Sequence, residues 1–106
     1  MKLTLTGRHF EITPHLRQHV ESKAEKLDHY TDHILEGEIV LFPERAIHVA
    51  EGKVHLSHTV IAARAEDHDV YAAVTELVDR MLVQLRRHTD WLNSRKKHGA
   101  NHREVQ

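Results

Sequence analysis

Residues 61–74 read Ile61-Ala62-Ala63-Arg64-Ala65-Glu66-Asp67-His68-Asp69-Val70-Tyr71-Ala72-Ala73-Val74, and the hydrophobic period changes inside this stretch. Ile61, Ala63 and Ala65 alternate with other residues, as on one face of an extended strand. Beyond Asp69 the spacing becomes helical. Val70, Val74, Leu77, Val78, Met81, Leu85 and Leu92 share one stripe, predicting a second helix that ends at about Leu92 or Asn93. Asp67 or Asp69 can cap its free amides. His88 falls within the stripe and is expected to be buried or half-buried against a neighbour.

The preceding residues supply the partners of this strand and helix. Residues 46–56 and 59–65 predict a strand pair, with Val54 and Leu56 on one face of the first and Ser57-His58 as the link. Glu51-Gly52 offers a competing turn or a bulge. Glu38-Ile39-Val40-Leu41-Phe42 predicts another strand, broken on its early side by Gly37 and ended by Pro43. Before it, Thr13-Pro14 is a helix start, because Thr13 can accept from free amides and Pro14 gives up no hydrogen bond in the first turn. The helix runs from about Pro14 to Tyr30, with Leu16, Val20, Ala24 and Leu27 on one stripe. Leu3 and Leu5 alternate with polar residues in a short strand closed by Gly7. The order is β-α-β-β-β-α: an α+β single domain over residues 1–93, its four-stranded sheet carrying two helices packed on one face. Residues 94–106 lack a periodic apolar face and read as a flexible basic C-terminal tail.

Composition narrows the function. A chain of 106 residues with 40% hydrophobic and 29% charged residues supports one folded core. No apolar run approaches the roughly 20 residues that span a bilayer, and the N-terminal residues lack the apolar stretch of a secretion signal. Without cysteine there is no disulfide scaffold and no thiol nucleophile. A cytoplasmic protein with no membrane partner is expected. The net charge of −1 conceals a division. Residues 1–33 hold five basic and five acidic side chains, residues 34–79 three against nine, and residues 80–106 seven against two. A basic C-terminal end of this kind suits a polyanionic partner. Twelve histidines add positive charge below neutrality, since the ordinary imidazole pKa lies near 6.5.

Catalytic patterns are missing. The four glycines stand too far apart for a phosphate loop, and no strained nucleophile turn frames any serine. His15 with His19, His29 with His33, and Asp28 with Asp32 have the i,i+4 spacing that can chelate an ion, but a closed site wants a third or fourth ligand. Neither a cofactor nor a metal is expected. Glu21, Glu25, Asp28 and Asp32 read as a solvated flank of the first helix, so no enzyme is expected either.

Basic residues are better ordered. Lys23 and Lys26, with His15 and His19, form one flank of the first helix, while Arg17 stands on the opposite side near Asp28. On the second helix Arg80, Gln84, Arg87 and Trp91 share one side, with Arg86 on another. Two helices on one face of a sheet could join these rows into one surface, arginine and lysine engaging phosphates and Trp91 covering a sugar or an unstacked base.

Two stretches, in register with this order of elements, resemble a known family. Glu11-Ile12-Thr13-Pro14, Leu16-Arg17-Gln18-His19-Val20 and Lys26-Leu27 resemble the start of the short ribosome hibernation promoting factors, also called ribosome-associated inhibitors or sigma-54 modulation proteins. Ala65 through Val74, Leu77-Val78-Asp79-Arg80-Met81 and Gln84-Leu85 resemble that family's entry into its second helix. The resemblance covers residues 1 to about 93. It implies a protein that binds the 30S ribosomal subunit and its 16S rRNA near the decoding region, in stationary phase or stress. Occupying the channel of messenger and transfer RNA would inhibit translation. Short members promote pairing of inactive 70S ribosomes into 100S dimers together with ribosome modulation factor, whereas relatives with an acidic tail hold single 70S particles. With Arg95-Lys96-Lys97 in place of an acidic tail, and no further domain, this chain fits the short branch.

The rRNA contacts implied by the resemblance are Arg17, Lys23 and Lys26 on the first helix and Arg80, Arg86 and Arg87 on the second. Trp91, Arg95, Lys96 and Lys97 join them as compensating candidates. Here the chain departs from the family, which often continues this helix with lysines where Thr89, Trp91 and Asn93 stand. The Ser57-His58-Thr59 loop likewise lacks the usual glycine. Two other classes share parts of this pattern. A general RNA-binding module would bind free RNA as well as assembled subunits. A protein-binding regulatory domain would use an apolar patch on the open sheet face around Val40 and Phe42, and the same uncovered face permits a homodimer.

Overall fold

The computed structural model describes residues 1–101, with side chains described as far as Leu92. Four strands and two helices follow the order β1 (Lys2–Gly7), α1 (Pro14–Tyr30), β2 (Glu36–Glu44), β3 (Ile47–His55), β4 (Val60–Asp67) and α2 (Val70–Asn101). The strands lie in the order β1-β2-β3-β4. Strands β1 and β2 are parallel, which requires the α1 crossover, while β2–β3 and β3–β4 are antiparallel hairpins.

Local chemistry sets the element ends. The Thr13 hydroxyl accepts from the Leu16 amide at 3.2 Å, and Pro14 occupies the first helical position. At the start of α2, Asp69 accepts from the Tyr71 amide at 2.9 Å and Asp67 accepts from the Asp69 amide at 2.9 Å, so both expected acids are used. Leu56 and Thr59 close the β3–β4 turn through a 2.9 Å backbone bond around Ser57-His58.

The core lies between the sheet and the helices. Leu16, Val20, Ala24 and Leu27 of α1 are buried, as are Val74, Leu77, Val78, Met81 and Leu85 of α2, against Ile39, Leu41, Ala50, Val54, Ile61 and Ala65. Leu92, placed on this stripe by its spacing, is exposed because the sheet ends short of it. No helix among the described residues is long and apolar enough to cross a membrane.

Three expectations change. Gly52 is neither turn nor bulge but mid-strand, facing Ile39 and Ala63. A Cβ on it would stand 3.0 Å from the Met81 thioether sulfur and 3.1 Å from Leu77, so the missing side chain lets α2 approach β3 closely. Strand β2 extends past Pro43, which pairs with His48 beyond the last β1–β2 pair, Gly7 with Leu41. There its other edge has no partner, and a missing donor leaves no gap in the ladder. Finally, α2 continues past Asn93 to Asn101. Arginine, lysine and alanine are strong helix formers, so backbone hydrogen bonding persists after the apolar face has stopped.

Candidate nucleic-acid interface

Helices α1 and α2 lie side by side and run in the same direction. The His15 Nδ1 and Tyr71 hydroxyl are 2.9 Å apart, and the His19 Nε2 and Thr75 hydroxyl 3.3 Å, an offset of 56 residues in both contacts. His19 also donates from Nε2 to the Tyr71 carbonyl at 3.1 Å, and both imidazoles meet the Tyr71 ring at centroid distances of 5.6 and 5.0 Å. These histidines therefore fasten one helix to the other rather than lining a metal site. Among the described residues no group of three or more metal-ligating side chains converges.

Extending that offset brings Lys23 level with Asp79, Lys26 with Leu82 and Tyr30 with Arg86. By helical spacing Lys26, and Lys23 less closely, fall on the side of α1 that carries His15 and His19, and Arg86 on the side of α2 that carries Tyr71 and Thr75. Arg17 is nine residues from Lys26, about half a rotation, and projects from the far side of α1. Arg87 follows Arg86 by about 100° of rotation and points toward β4 instead. The basic residues of α2 thus fall on two sides, Arg86 on the side of Tyr71 and Thr75, and Arg80 with Arg87 beside β4.

The second side carries the row over β4. Arg80 donates to the Arg64 carbonyl at 2.6 Å and to the Glu76 carboxylate, and Gln84 donates to the Ala62 carbonyl at 2.7 Å. Strand β4 is an edge strand, so these side chains occupy carbonyls that would otherwise template another strand. Arg87 continues the row one turn on. It makes no hydrogen bond or ion pair among the described residues and lines a shallow groove with Ala63, Arg64, Arg80, Val83 and Gln84.

Arg64 was not singled out by the sequence reading, although its outward position on β4 was legible. Its side chain crosses the open sheet face to Glu44 at 3.3 Å, Glu51 at 2.9 Å and Glu66 at 2.9 Å. The hydrogen bond to Glu66, opposed in part by desolvation and reinforced by Glu51 and Glu44, raises its pKa and keeps it charged. Arg8 lies 4.3 Å over the Phe42 ring and 3.6 Å from Glu51. The open face is therefore a charge network with Phe42 beneath an arginine, which removes the apolar docking patch expected around Val40 and Phe42.

Trp91 is 52% exposed and stacks on His88, ring centroids 6.2 Å apart and planes inclined by 24°. Both line a groove beneath the β3–β4 turn, together with Ser57, His58 and Thr59. His88 is half-buried there, as its place in the stripe predicts. Arg95, Lys96 and Lys97 lie outside the residues whose side chains are described.

Residues 3–93 match the family described as "Sigma 54 modulation protein / S30EA ribosomal protein". The ribosome hibernation promoting factors of Salmonella typhimurium and Escherichia coli K12 are each 39% identical to this chain over 92 residues, which is 87% of this chain and 97% of theirs. Two solved structures share the fold. A ribosomal subunit interface protein from Coxiella burnetii superposes with a TM-score of 0.81 at 27% identity, over 85% of this chain and 99% of that one. The N-terminal domain of Thermus thermophilus Protein Y gives 0.77 at 37% identity, over 83% and 99%.

Proposed function

The chain belongs to the sigma 54 modulation protein / S30EA ribosomal protein family, and from that premise we propose that it is a ribosome hibernation factor. It binds the 30S subunit through 16S rRNA near the decoding region, and its bulk excludes messenger and transfer RNA. The mechanism is occupation of a channel, with no bond made or broken. The observation that carries this reading is the basic row on α2, ending in an arginine with no internal partner among the described residues, in a chain of this family. Arg87, Arg86, Lys23 and Lys26 supply phosphate contacts, which fix position on the RNA without reading its sequence. Arg17, Arg95, Lys96 and Lys97 contribute longer-range attraction. In the cytoplasm, promotion of 100S dimers together with ribosome modulation factor follows from the same seat on the 30S subunit.

Co-sedimentation with 30S subunits and 70S ribosomes on sucrose gradients, at low and at physiological salt, tests this. Saturable association near one copy per ribosome, competed by messenger RNA and weakened by salt, is expected. Absence from the ribosomal fractions in both salts would refute it. Adding ribosome modulation factor then distinguishes dimer promotion from silencing of single particles.

A further inference from the structure

The groove beneath the β3–β4 turn is the feature that phosphate binding does not use. It measures about 560 Å³, enough for a nucleobase and part of its sugar. Trp91 and His88 line it as a stacked aromatic pair, together with Leu85, which is buried in the core. Ser57, His58 and Thr59 of the β3–β4 turn line it too and bring hydroxyl and imidazole groups. A half-exposed indole in one groove with hydrogen-bonding side chains is suited to a flat, aromatic ligand with polar edges.

Charge one helical turn from Trp91 narrows the class. Arg87 lies four residues before Trp91, one helical turn away on the same side of α2, and the rise between them is about 6 Å. One nucleotide step covers that distance. A phosphate held by Arg87 would therefore bring the next base of a single strand to the Trp91 ring. The row Arg80, Gln84, Arg87, Trp91 runs along α2, its first three residues lining the groove over β4 and Trp91 lining this one.

We propose that Trp91, backed by His88, is a stacking platform for one unpaired RNA base, whose edge is met by Ser57, His58 and Thr59. The proposal rests on the ribosome-binding reading and adds a base contact to it. Base–aromatic stacking tolerates any base, so the platform adds affinity without sequence preference. Its contribution also differs from that of the arginines in resisting salt.

Trp91 is the only tryptophan in the chain, so its fluorescence reports on the site directly. The probes are a short single-stranded oligoadenylate and an abasic oligonucleotide of equal length. We expect quenching by the first and little by the second. Trp91→Ala should weaken binding of oligoadenylate and of 30S subunits by about tenfold to a hundredfold, by the same factor at low and physiological salt, while Trp91→Phe retains most of the affinity. Arg87→Ala should lose less as salt rises. Equal quenching by the abasic strand, or unchanged 30S affinity of Trp91→Ala, would overturn the proposal. So would equally strong quenching by adenosine monophosphate, which would mark a mononucleotide site. Quenching that grows with protein concentration alone would overturn it in favour of a second copy of the chain. Failure of the ribosome reading would appear separately, as parent protein absent from the ribosomal fractions.

Discussion

Truncating Arg80 and Arg87 separately distinguishes two roles that look alike in the sequence. Both arginines stand on the β4 side of α2, yet only Arg80 is bonded to the fold, through the Arg64 carbonyl and the Glu76 carboxylate. A hydrogen bond from a charged donor contributes about 1.5–3 kcal/mol, and an exposed i,i+4 ion pair about 0.3–0.5 kcal/mol. Arg80 is exposed, and the groups it leaves behind return to water, so Arg80→Ala should cost about 1–2 kcal/mol. For a domain of this size, about 1 kcal/mol moves the melting temperature by about 4–8 °C. A fall of about 5–10 °C is expected, measured by circular dichroism. Arg87→Ala should stay within about 0.5 kcal/mol of the parent, as surface substitutions usually do. In 30S binding Arg87→Ala should weaken affinity and reduce the slope of log K against log salt by about 0.7–0.9. Equal melting of the two variants, or an Arg80→Ala protein as stable as the parent, would refute the edge-capping role.

Thr13→Ala should destabilise the domain by about 1 kcal/mol, read in urea denaturation as a lower midpoint with unchanged slope, because the Leu16 amide loses its acceptor. Gly7→Ala should be more harmful than Gly52→Ala. The new Cβ at Gly7 meets the backbone carbonyl of Phe10, whereas at Gly52 it meets the movable end of Met81, a difference that paired thermal melts would show.

The elements were legible because each carries its own local signal. Thr13-Pro14 starts α1, the change of period at Asp69 starts α2, and the stripes Leu16-Val20-Ala24-Leu27 and Val74-Leu77-Val78-Met81-Leu85 are the buried ones. What escaped depended on contacts between elements. Gly52 looks like a turn residue until Met81 and Leu77 lie across it. Phe42 looks like an exposed apolar patch until Arg8, distant in sequence, covers its ring. His15 and His19 resemble half of a metal site, and only the packing of α2 reveals Tyr71 and Thr75 as their partners. Helical wheels assign residues to sides of a helix but not to neighbours. They therefore set Arg80 and Arg87 in one row without showing that Arg80 is bonded to the Arg64 carbonyl and Glu76.

In the proposed function, the difference between Arg80 and Arg87 decides which residues hold RNA. Arg64 is surrounded by Glu44, Glu51 and Glu66, and Arg80 shares its charge with Glu76, so neither offers a phosphate the field of an unpaired cation. Arg87 carries no such partner among the described residues. The first half of α2 thus closes the sheet edge, and in the proposed function the second half, from Arg86 through Trp91, is the part that meets RNA. A substitution in the first half should act on melting before binding, and one in the second half on binding before melting. This order follows from the edge position of β4, because a strand edge left open needs side chains to cover it, and a side chain so employed is withdrawn from the ligand.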